Sequence, residues 1–303
     1  MGAGGPVAAP AEAHRLTAAP NCPVFPATKR WNQRVDGLPV AARSSAIVRS
    51  IGTGEPLHPD FGSGLWEGAS IGIPITVVAG TQRRVPVSFT YADESDPGPY
   101  PIPPNARIEG GPRSTGDRHV ILVDRDRCRL WELYAAYPRA GGASWRAGSS
   151  ATWSLLSNRL RPAGWTSADA AGLPILPGLA RADELRRGSI DHALRVTVPR
   201  TRRAFVYPAR HFASELTDLD LPPMGLHLRL KRSVAISSFP PQSRIVLRAL
   251  KRYGMIVADN GAPWYIGGTP RRDGMTTTCT PSTASGEATS RSSRRDRFRG
   301  PGA

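Results

Sequence analysis

Lysine is almost absent from this basic chain. Of its 40 basic residues only Lys29, Lys231 and Lys251 are lysine, and the others are scattered arginines. The formal net charge of +16 would suit a nucleic-acid ligand, but we find no basic stripe interleaved with aromatic residues and no recognisable nucleic-acid module. Arginine excess with abundant Ala, Gly and Pro is typical of a GC-rich genome. We therefore expect solvated surface arginines and no nucleic-acid partner.

Cysteine is scarce as well, at three residues. Cys22 and Cys128 flank the β-rich body and could close one disulfide in an oxidising compartment, whereas no C-x-x-C spacing exists for zinc. Metal binding through cysteine is therefore not expected. No run of 18 apolar residues occurs either, which excludes a membrane-spanning helix from the prediction.

The first 21 residues are small and rich in Pro and Ala, and they lack an apolar stretch long enough for a signal-peptide core. They do contain small-residue pairs like those near a cleavage site. We interpret residues 1–21 as a disordered leader or a signal-peptide remnant, and we predict a secreted, extracellular protein. The alternative is a plain disordered N-terminal segment of a cytoplasmic protein.

Gly and Pro, at 31 and 30 residues, fall between short apolar runs rather than in one tract, which indicates many turns between short strands. Several runs alternate apolar and polar residues, the period of a half-buried strand. The predicted strands are 73–80, 85–91, 118–124, 129–137, 192–198, 204–208 and 226–231. The sequence predicts a mainly β fold, an antiparallel β-sandwich of the jelly-roll type, in one domain over residues 22–269.

Two segments have helical patterns. Residues 41–51 predict a short helix, and residues 240–254 predict one C-terminal amphipathic helix that opens with proline and stops at Gly254. After it, two apolar runs surround Asn260 and Gly261, a dipeptide that favours a tight turn, so we expect a closing hairpin there.

Carboxylates are concentrated in the stretch YADESDPGPYPIPPNARIEGG, at Asp93, Glu94, Asp96 and Glu109. Glycoside hydrolysis uses such groups because one acid donates a proton while another stays ionised, and calcium sites use them as ligands. Acidic residues beside Pro and Gly are also ordinary turn formers.

The stretch GDRHVILVDRDRCRLWELY places His119, Glu132 and Tyr134 on neighbouring predicted strands. Alternation puts Glu132 and Tyr134 on one face, so they could line one cleft. A core tyrosine beside a surface glutamate is the alternative.

The long segment 164–179 has little helical or strand pattern and contains Trp165 and Asp169. Ordered loops of this length usually cover or line something. Trp153 and Trp165 could form a surface on which sugars stack, or a tryptophan could simply plug the sandwich.

His192 begins one predicted strand and His211 follows the next, with Tyr207 between them. Antiparallel pairing of those strands would bring both histidines to one end of the sheet, where a general base and a partner could meet. A metal held by His192, His211 and Asp169 is not supported by the spacing. The sequence predicts no metal and no cofactor.

The chain resembles a family of β-rich proteins secreted by actinobacteria, also seen in fungi, for which no activity is established. The resemblance rests on NCPVFPA, LHPDFGSG, DRHVILVD, GWTSADAAGLPILPGL, IDHALRVTVP and ALKRYGMIVADNG, and it covers roughly residues 21–269. It implies a secreted β-rich domain and supplies no catalytic residues.

Proteins similar to this one continue after the position of Gly268 with an aspartate-rich stretch that ends in Leu-His, whereas this chain has an arginine-rich tail. Plausible GC-rich codons for residues 271–280 encode such an acidic ending in a neighbouring reading frame. We therefore expect a frameshift near Pro270 and a disordered tail over residues 270–303, with no bearing on nucleic-acid binding.

Together these observations predict a secreted carbohydrate-active domain, a polysaccharide hydrolase or lyase whose partner is a polysaccharide or cell-wall glycan. The alternative is a non-catalytic secreted or cell-surface binding module. The acid, base or orienting candidates are Asp93, Glu94, Glu132, His192 and His211. The candidates for substrate contact are Trp165, Tyr134, Tyr207 and Asp169.

Overall fold

The computed structural model describes residues 14–66 and 68–271, and the backbone of Gly286–Thr289. Within these residues the chain forms 17 β-strands and three α-helices. The strands are β1 (Arg15–Leu16), β2 (Ala19–Pro23), β3 (His58–Asp60), β4 (Leu65–Trp66), β5 (Ala69–Ser70), β6 (Ile75–Val78), β7 (Val87–Phe89), β8 (Val120–Asp124), β9 (Arg129–Tyr134), β10 (Tyr137–Arg139), β11 (Ser144–Ala147), β12 (Ser149–Ser154), β13 (Leu194–Val198), β14 (His227–Leu230), β15 (Met255–Asn260), β16 (Tyr265–Gly267) and β17 (Gly286–Thr289). The helices are α1 (Ser44–Ile51), α2 (Ala182–Arg187) and α3 (Pro241–Arg252).

Two sheets dominate the described chain. A six-stranded sheet has the order β17-β14-β15-β13-β16-β3, and a four-stranded sheet has the order β12-β9-β8-β6. Strands β10, β11 and β7 form a third sheet, and β1–β2 and β4–β5 are two-stranded. Among the described residues no helix is long and apolar enough to cross a bilayer.

The four-stranded sheet is buried on both faces. In β8, Ile121 and Val123 belong to one apolar cluster, while Val120 and Leu122 belong to another. Because successive side chains of a strand point to opposite faces, this split means that apolar layers cover both sides of the sheet. A third and larger cluster packs α1 and α3 with β13, β14 and β15.

The mainly β prediction is confirmed, but the antiparallel jelly-roll arrangement is not what the strand pairing shows. Among the described residues, β6–β8, β7–β11, β13–β15 and β16–β3 are parallel pairs. Parallel neighbours require long crossover connections, and the segments between these strands are long enough to provide them. The sheets are therefore mixed.

Helices occupy both segments with helical patterns: α1 lies within 41–51 and α3 within 240–254. The buried positions of α3 include Ile245, Val246, Ala249 and Leu250, which form one face at helical spacing. The chain nevertheless continues after α3 into β15 and β16, so α3 is an internal helix that covers the six-stranded sheet.

Two predicted strand pairings, the closing hairpin of β15 with β16 and the pairing of 192–198 with 204–208, are wrong because β13 lies between β15 and β16. Strand β13 pairs with β15 on one side and β16 on the other, so β15 and β16 do not form the hairpin expected around Asn260 and Gly261. The same pairings fill both edges of β13 and leave no edge for residues 204–208. That segment makes only an isolated bridge between Phe205 and Met224.

The packed chain extends beyond both predicted boundaries of the β-rich body. Leu16 and Ala19 pair with each other in the hairpin β1–β2, and both are buried although they lie in the segment expected to be a leader. Arg271 is buried, its backbone N–H donates to the Gly62 carbonyl, and its Nη1 donates to Oε1 of Gln242. The other predictions for the leader and the tail lie outside the described residues, except that β17 pairs antiparallel with β14.

The predicted disulfide is confirmed. Cys22 at the end of the β1–β2 hairpin is bonded to Cys128, which immediately precedes β9, and the bond joins positions 106 residues apart in sequence. Cys22 is buried, and both cysteines belong to the apolar cluster on one face of the four-stranded sheet. The bond therefore fastens the N-terminal hairpin to that sheet.

Replacing both cysteines, Cys22→Ala with Cys128→Ala, should lower the free energy of unfolding by about 2–5 kcal/mol, because the unfolded chain regains the freedom of a long loop. Denaturant unfolding of the oxidised protein and the double variant measures the difference. A reductant should destabilise the native protein and leave the double variant unchanged. Equal unfolding midpoints for the two oxidised proteins would contradict a stabilising bond.

Candidate functional site

A cavity of about 430 Å³ lies where the ends of the two large sheets meet. His119 precedes β8, Tyr134 ends β9 and Ser149 begins β12, so the antiparallel pairing brings all three to one edge of the four-stranded sheet. Asp259 and Asn260, at the carboxyl end of β15, contribute from the six-stranded sheet. Residues 166–170 and the turn that contains Glu94 complete the wall.

The lining of this cavity is acidic. Among the described residues its carboxylates are Glu94, Asp117, Asp169 and Asp259, and no lysine or arginine side chain lines it. His119 and His211 contribute imidazoles. Hydroxyl and amide side chains from serine, threonine, tyrosine and asparagine residues fill the remaining polar positions. Such a surface offers many hydrogen-bonding groups to a polar ligand.

Asp169 is fixed by a buried ion pair. Its Oδ2 accepts from Nη2 of Arg195 at 2.9 Å and from Nε at 3.3 Å, and its Oδ1 accepts from the backbone N–H of Ala171 at 3.1 Å. The guanidinium comes from β13, and its stem runs so close to Gly178 that a Cβ there would lie 2.9 Å from Cβ of Arg195. The pair ties the 164–179 segment to the six-stranded sheet.

Asp259 faces the same arginine because the register of β15 shifts. Arg195 pairs with Ile256 and Val196 with Val257, but Thr197 pairs with Asp259, so Ala258 is an extra residue. Without the shift, alternation would place Asp259 on the face opposite Arg195. A bulge of this kind re-aims a side chain, and here Oδ2 of Asp259 lies 4.0 Å from Nη2 of Arg195.

Two carboxyls therefore share one guanidinium. Burial and, next, the negative charge of Asp169 raise the pKa of Asp259 to about 6, against the opposing effect of Arg195. Burial also raises the pKa of Asp169. Since both oxygens of Asp169 accept hydrogen bonds, its ionised form is the better satisfied one. A proton shared between the two carboxyls is accordingly held by Asp259, whose side chain is 28% exposed in the cavity.

His119 is held as an imidazolium. Its Nδ1 lies 2.6 Å from Oε2 of Glu109, and its Nε2 lies 3.0 Å from the carbonyl of Ala168. Both partners are acceptors when Glu109 is ionised, so both ring nitrogens donate. Burial alone would lower the pKa of His119, but the charge and hydrogen bond of Glu109 raise it to about 9.

A backbone carbonyl orients the ring of His211 in the cavity. Its Nδ1 lies 2.8 Å from the carbonyl of Ala170, an acceptor, so Nδ1 carries a hydrogen. In the neutral ring Nε2 is then an unprotonated acceptor. The ring stacks against Phe212, with centroids 5.7 Å apart and planes 3° from parallel. The residue next to Asp169 thus fixes the tautomer of His211.

Four of the residues selected from the sequence line the cavity together: Glu94, Tyr134, Asp169 and His211. The Oε2 of Glu94 accepts from the backbone N–H of Thr166 at 2.8 Å, which joins its turn to the 164–179 segment. Burial raises the pKa of Tyr134, whose ring lies 5.9 Å from that of His119. Residues 166–170 of this segment line the cavity.

Three other candidates lie outside the lining. Asp93 is exposed on the turn beside Glu94, and Tyr207 is 46% exposed away from the cavity. Trp165 is half-buried beneath the guanidinium of Arg161, whose Cζ lies 5.5 Å from the ring centroid. Asp96 pairs with the same arginine at 2.7 Å and accepts from Thr152, which is a structural role.

Glu132 is fully buried and does not line the cavity. Its two carboxylate oxygens accept from the backbone N–H groups of Ile175 and Leu176, each at 2.8 Å. Burial raises its pKa to about 7, against those two hydrogen bonds. The side chain therefore caps the turn that carries the 164–179 segment across the sheet, and strand alternation alone did not reveal this partner.

His192 belongs to a separate buried cluster. Its Nε2 lies 3.0 Å from Oε1 of Glu184, which also accepts from Nη2 of Arg181 at 2.5 Å. Burial alone would raise the pKa of Glu184, but Arg181 and His192 lower it to about 2. This cluster joins α2 to the start of β13. The prediction that His192 and His211 meet at one end of a sheet failed because residues 204–208 are not a strand of that sheet.

Asp259, Asp117 and Tyr91 line the cavity but were not predicted from the sequence as site residues. His119 was noted in the sequence but was not chosen as a candidate site residue. The signal for Asp259 was available: it follows the apolar run of β15, and ligand sites form at the carboxyl ends of buried parallel strands. The following Asn-Gly dipeptide suggested a hairpin instead. Asp117 and Tyr91 lie in turns without any distinguishing pattern.

The described residues contain no group of three or more His, Cys, Asp or Glu side chains that could hold a metal ion. No protein-family model, curated protein or solved structure matches the chain.

Glu109→Gln should remove a pH dependence of stability. Because the pKa of His119 rises from 6.5 in the unfolded chain to about 9 when folded, its contribution is fully present below pH 6.5 and is lost as the pH rises to 9. Unfolding free energies across this window should fall for the native protein more steeply than for the variant.

The exposed variant Asp93→Asn is the matched control and should keep the native slope. Subtracting the unfolding free energy of each variant from that of the native protein at the same pH cancels the contributions of other groups that titrate in this window. Parallel curves for the native protein and Glu109→Gln would show that Glu109 does not hold the charge on His119.

Proposed function

We propose that this chain is a secreted hydrolase that cleaves glycosidic bonds in a polysaccharide, with Asp259 as the proton donor and His211 as the base. The observation that carries this proposal is the pair of carboxyls around Arg195, which leaves a protonatable carboxyl at the cavity surface. The disulfide and the resemblance to secreted proteins support an oxidising, extracellular location.

Asp259 suits the role of an acid because its pKa of about 6 keeps part of the population protonated near neutral pH. A carboxyl with an ordinary pKa would be almost fully ionised there. Asp169 stays ionised against Arg195 and supplies the negative charge that disfavours ionisation of Asp259. Glycoside hydrolysis needs a general acid that stays partly protonated near neutral pH, and the ionised Asp169 provides that condition for Asp259.

His211 suits the role of a base because the Ala170 carbonyl holds its hydrogen on Nδ1. In the proposed step, Asp259 gives its proton to the leaving oxygen while Nε2 of His211 takes a proton from water. The hydroxyl of that water bonds to the anomeric carbon as the glycosidic bond breaks. Proton return from His211 to Asp259 restores both groups.

The lining favours a neutral sugar unit in the cavity. Hydroxyl, amide and carboxylate groups can hydrogen-bond sugar hydroxyls, and the rings of Tyr91 and Tyr134 offer apolar faces. β-Elimination would need a uronic acid carboxylate at this position, with a cation to offset its charge. Four carboxylates line the cavity, no lysine or arginine is among its described lining residues, and the imidazolium of His119 is already paired with Glu109, so hydrolysis is preferred over a lyase activity.

A panel of polysaccharides is first screened to find one that the native protein cleaves. Asp259→Asn and His211→Gln should each lower the turnover of that polysaccharide by about 10²–10⁴-fold, the usual contribution of a general acid or base. Reducing ends report hydrolysis and unsaturated products report elimination. Because Asp259 must be protonated, native kcat/KM should fall as the pH rises through about 6. The pH profile of kcat/KM for Asp259→Asn should lack this decrease.

Asp93→Asn is again the control, since Asp93 neighbours Glu94 but does not line the cavity, and its turnover should match the native protein. Saturable glycan binding without turnover would favour the alternative, a binding module. Equal losses for Asp259→Asn and Asp93→Asn would exclude the assignment of the acid.

A further inference from the structure

A second concavity, of about 820 Å³, lies on the other side of the loop 105–112. It is bounded by that loop, by Gly68–Ser70 and Gly72, by α2, and by Pro270 and Arg271. We call this concavity the arginine groove. The loop separates it from the acidic cavity: Ile108 and Gly110 line the groove, while Glu109 between them binds His119 of the cavity.

The charge of the arginine groove is opposite to that of the cavity. Arg107, Arg186 and Arg271 line it, and no Asp or Glu is present among its described lining residues. Arg107 and Arg186 are exposed, and neither has a salt-bridge partner within the described chain. Arg271 is fixed by its hydrogen bond to Gln242. A planar guanidinium binds carboxylate and sulfate oxygens through paired hydrogen bonds.

Glycines make up part of the lining of the arginine groove. Gly72 has φ of 98°, and a Cβ there would lie 2.6 Å from the Gly268 carbonyl, so only glycine fits this close approach. Gly68, Gly110 and Gly111 also line the groove and carry no side chain. No aromatic ring is present among the described residues that line the groove. Single-stranded nucleic acids bind by stacking bases on such rings, so this surface suits them poorly.

We propose that the arginine groove binds a carboxylate or sulfate group of the same glycan chain whose neutral unit occupies the acidic cavity. This inference rests on the proposed function, and it identifies the substrate class as an anionic polysaccharide. The two concavities are neighbours, because Glu109 of the 105–112 loop contacts His119 of the cavity while Ile108 and Gly110 of the same loop line the groove, and the proposal places one extended chain across both. The acidic cavity excludes the charged unit, and the arginine groove retains it.

The test compares Arg107→Gln/Arg186→Gln with Arg113→Gln/Arg187→Gln. In the control pair, Arg113 directly follows the 105–112 loop and Arg187 lies in the same helix as Arg186, so the same charge is removed, but Arg113 and Arg187 do not line the groove. Both pairs are made in the full chain carrying Asp259→Asn, so that binding is measured without cleavage. The probes carry both neutral and anionic units, namely partly methyl-esterified pectate and partly sulfated dextran, and each is compared with its uncharged form, fully esterified pectate or dextran, by calorimetric titration at fixed salt.

We expect the Arg107→Gln/Arg186→Gln variant to lose about tenfold or more in affinity for partly esterified pectate or partly sulfated dextran, with no change for the uncharged probes. Whichever anionic probe is affected identifies carboxylate or sulfate as the ligand. The control pair should bind as the parent does. Equal losses in both pairs, or equal affinity for charged and uncharged probes, would overturn the proposal.

Single-stranded DNA is the last probe, and binding through the same arginines as tightly as the glycans would also overturn it. Turnover is scored separately on an uncharged substrate with Asp259 restored. If only the groove proposal is wrong, the uncharged substrate is still turned over. If only the proposed hydrolase activity is wrong, the anionic probes still bind through the groove but no substrate is turned over.

Discussion

The buried ion pair between Asp169 and Arg195 is the contact on which the rest of the site depends. It joins a long segment without regular structure to the middle of the six-stranded sheet, in a place where neither charge reaches water easily. Removing one partner of such a pair leaves an uncompensated buried charge, at a typical cost of about 3–5 kcal/mol. The pair therefore fixes the position of the segment, and with it the neighbours of Asp169: Ala168, which receives His119, and Ala170, which orients His211.

The register shift in β15 brings a protonatable carboxyl, Asp259, to this structural ion pair. It places Asp259 on the same face as Arg195, at a distance where attraction to the guanidinium is weaker than the combined effects of burial and Asp169. One guanidinium thus keeps one carboxyl ionised and leaves the other near its point of half-protonation. The 105–112 loop then divides the adjacent surface into an acidic cavity and a basic groove. A substrate that carries both neutral and anionic units matches that division.

Local patterns in the sequence predicted the elements whose formation is local. Apolar alternation located β8, β9 and β13, and helical spacing located α3. The partners of those elements could not be predicted in the same way, because insertion of β13 between β15 and β16 depends on contacts distant in sequence. The hairpin expected at Asn260 failed for this reason, although the dipeptide itself favours a turn.

The same limit applies to the candidate residues. Asp169 and His211 were selected because a long loop and a strand end are common places for function, and both line the cavity. Glu132 and His192 were selected on similar grounds but satisfy buried partners, the N–H groups of Ile175 and Leu176 and the carboxylate of Glu184. Whether a polar side chain in a strand meets a cavity or a buried backbone group depends on which segment covers that strand, and strand alternation carries no information about the covering segment.

The central claim is that Asp259 is protonatable near neutral pH because Asp169 lies behind the same arginine. The most direct test is carboxyl NMR of Asp259 across the acid range, in the native protein and in Asp169→Asn. A native midpoint near pH 6 is predicted, and a lower one in the variant, because the change removes a negative charge and frees Arg195 for Asp259. A native midpoint near the ordinary value of about 4, unchanged in Asp169→Asn, would contradict the account.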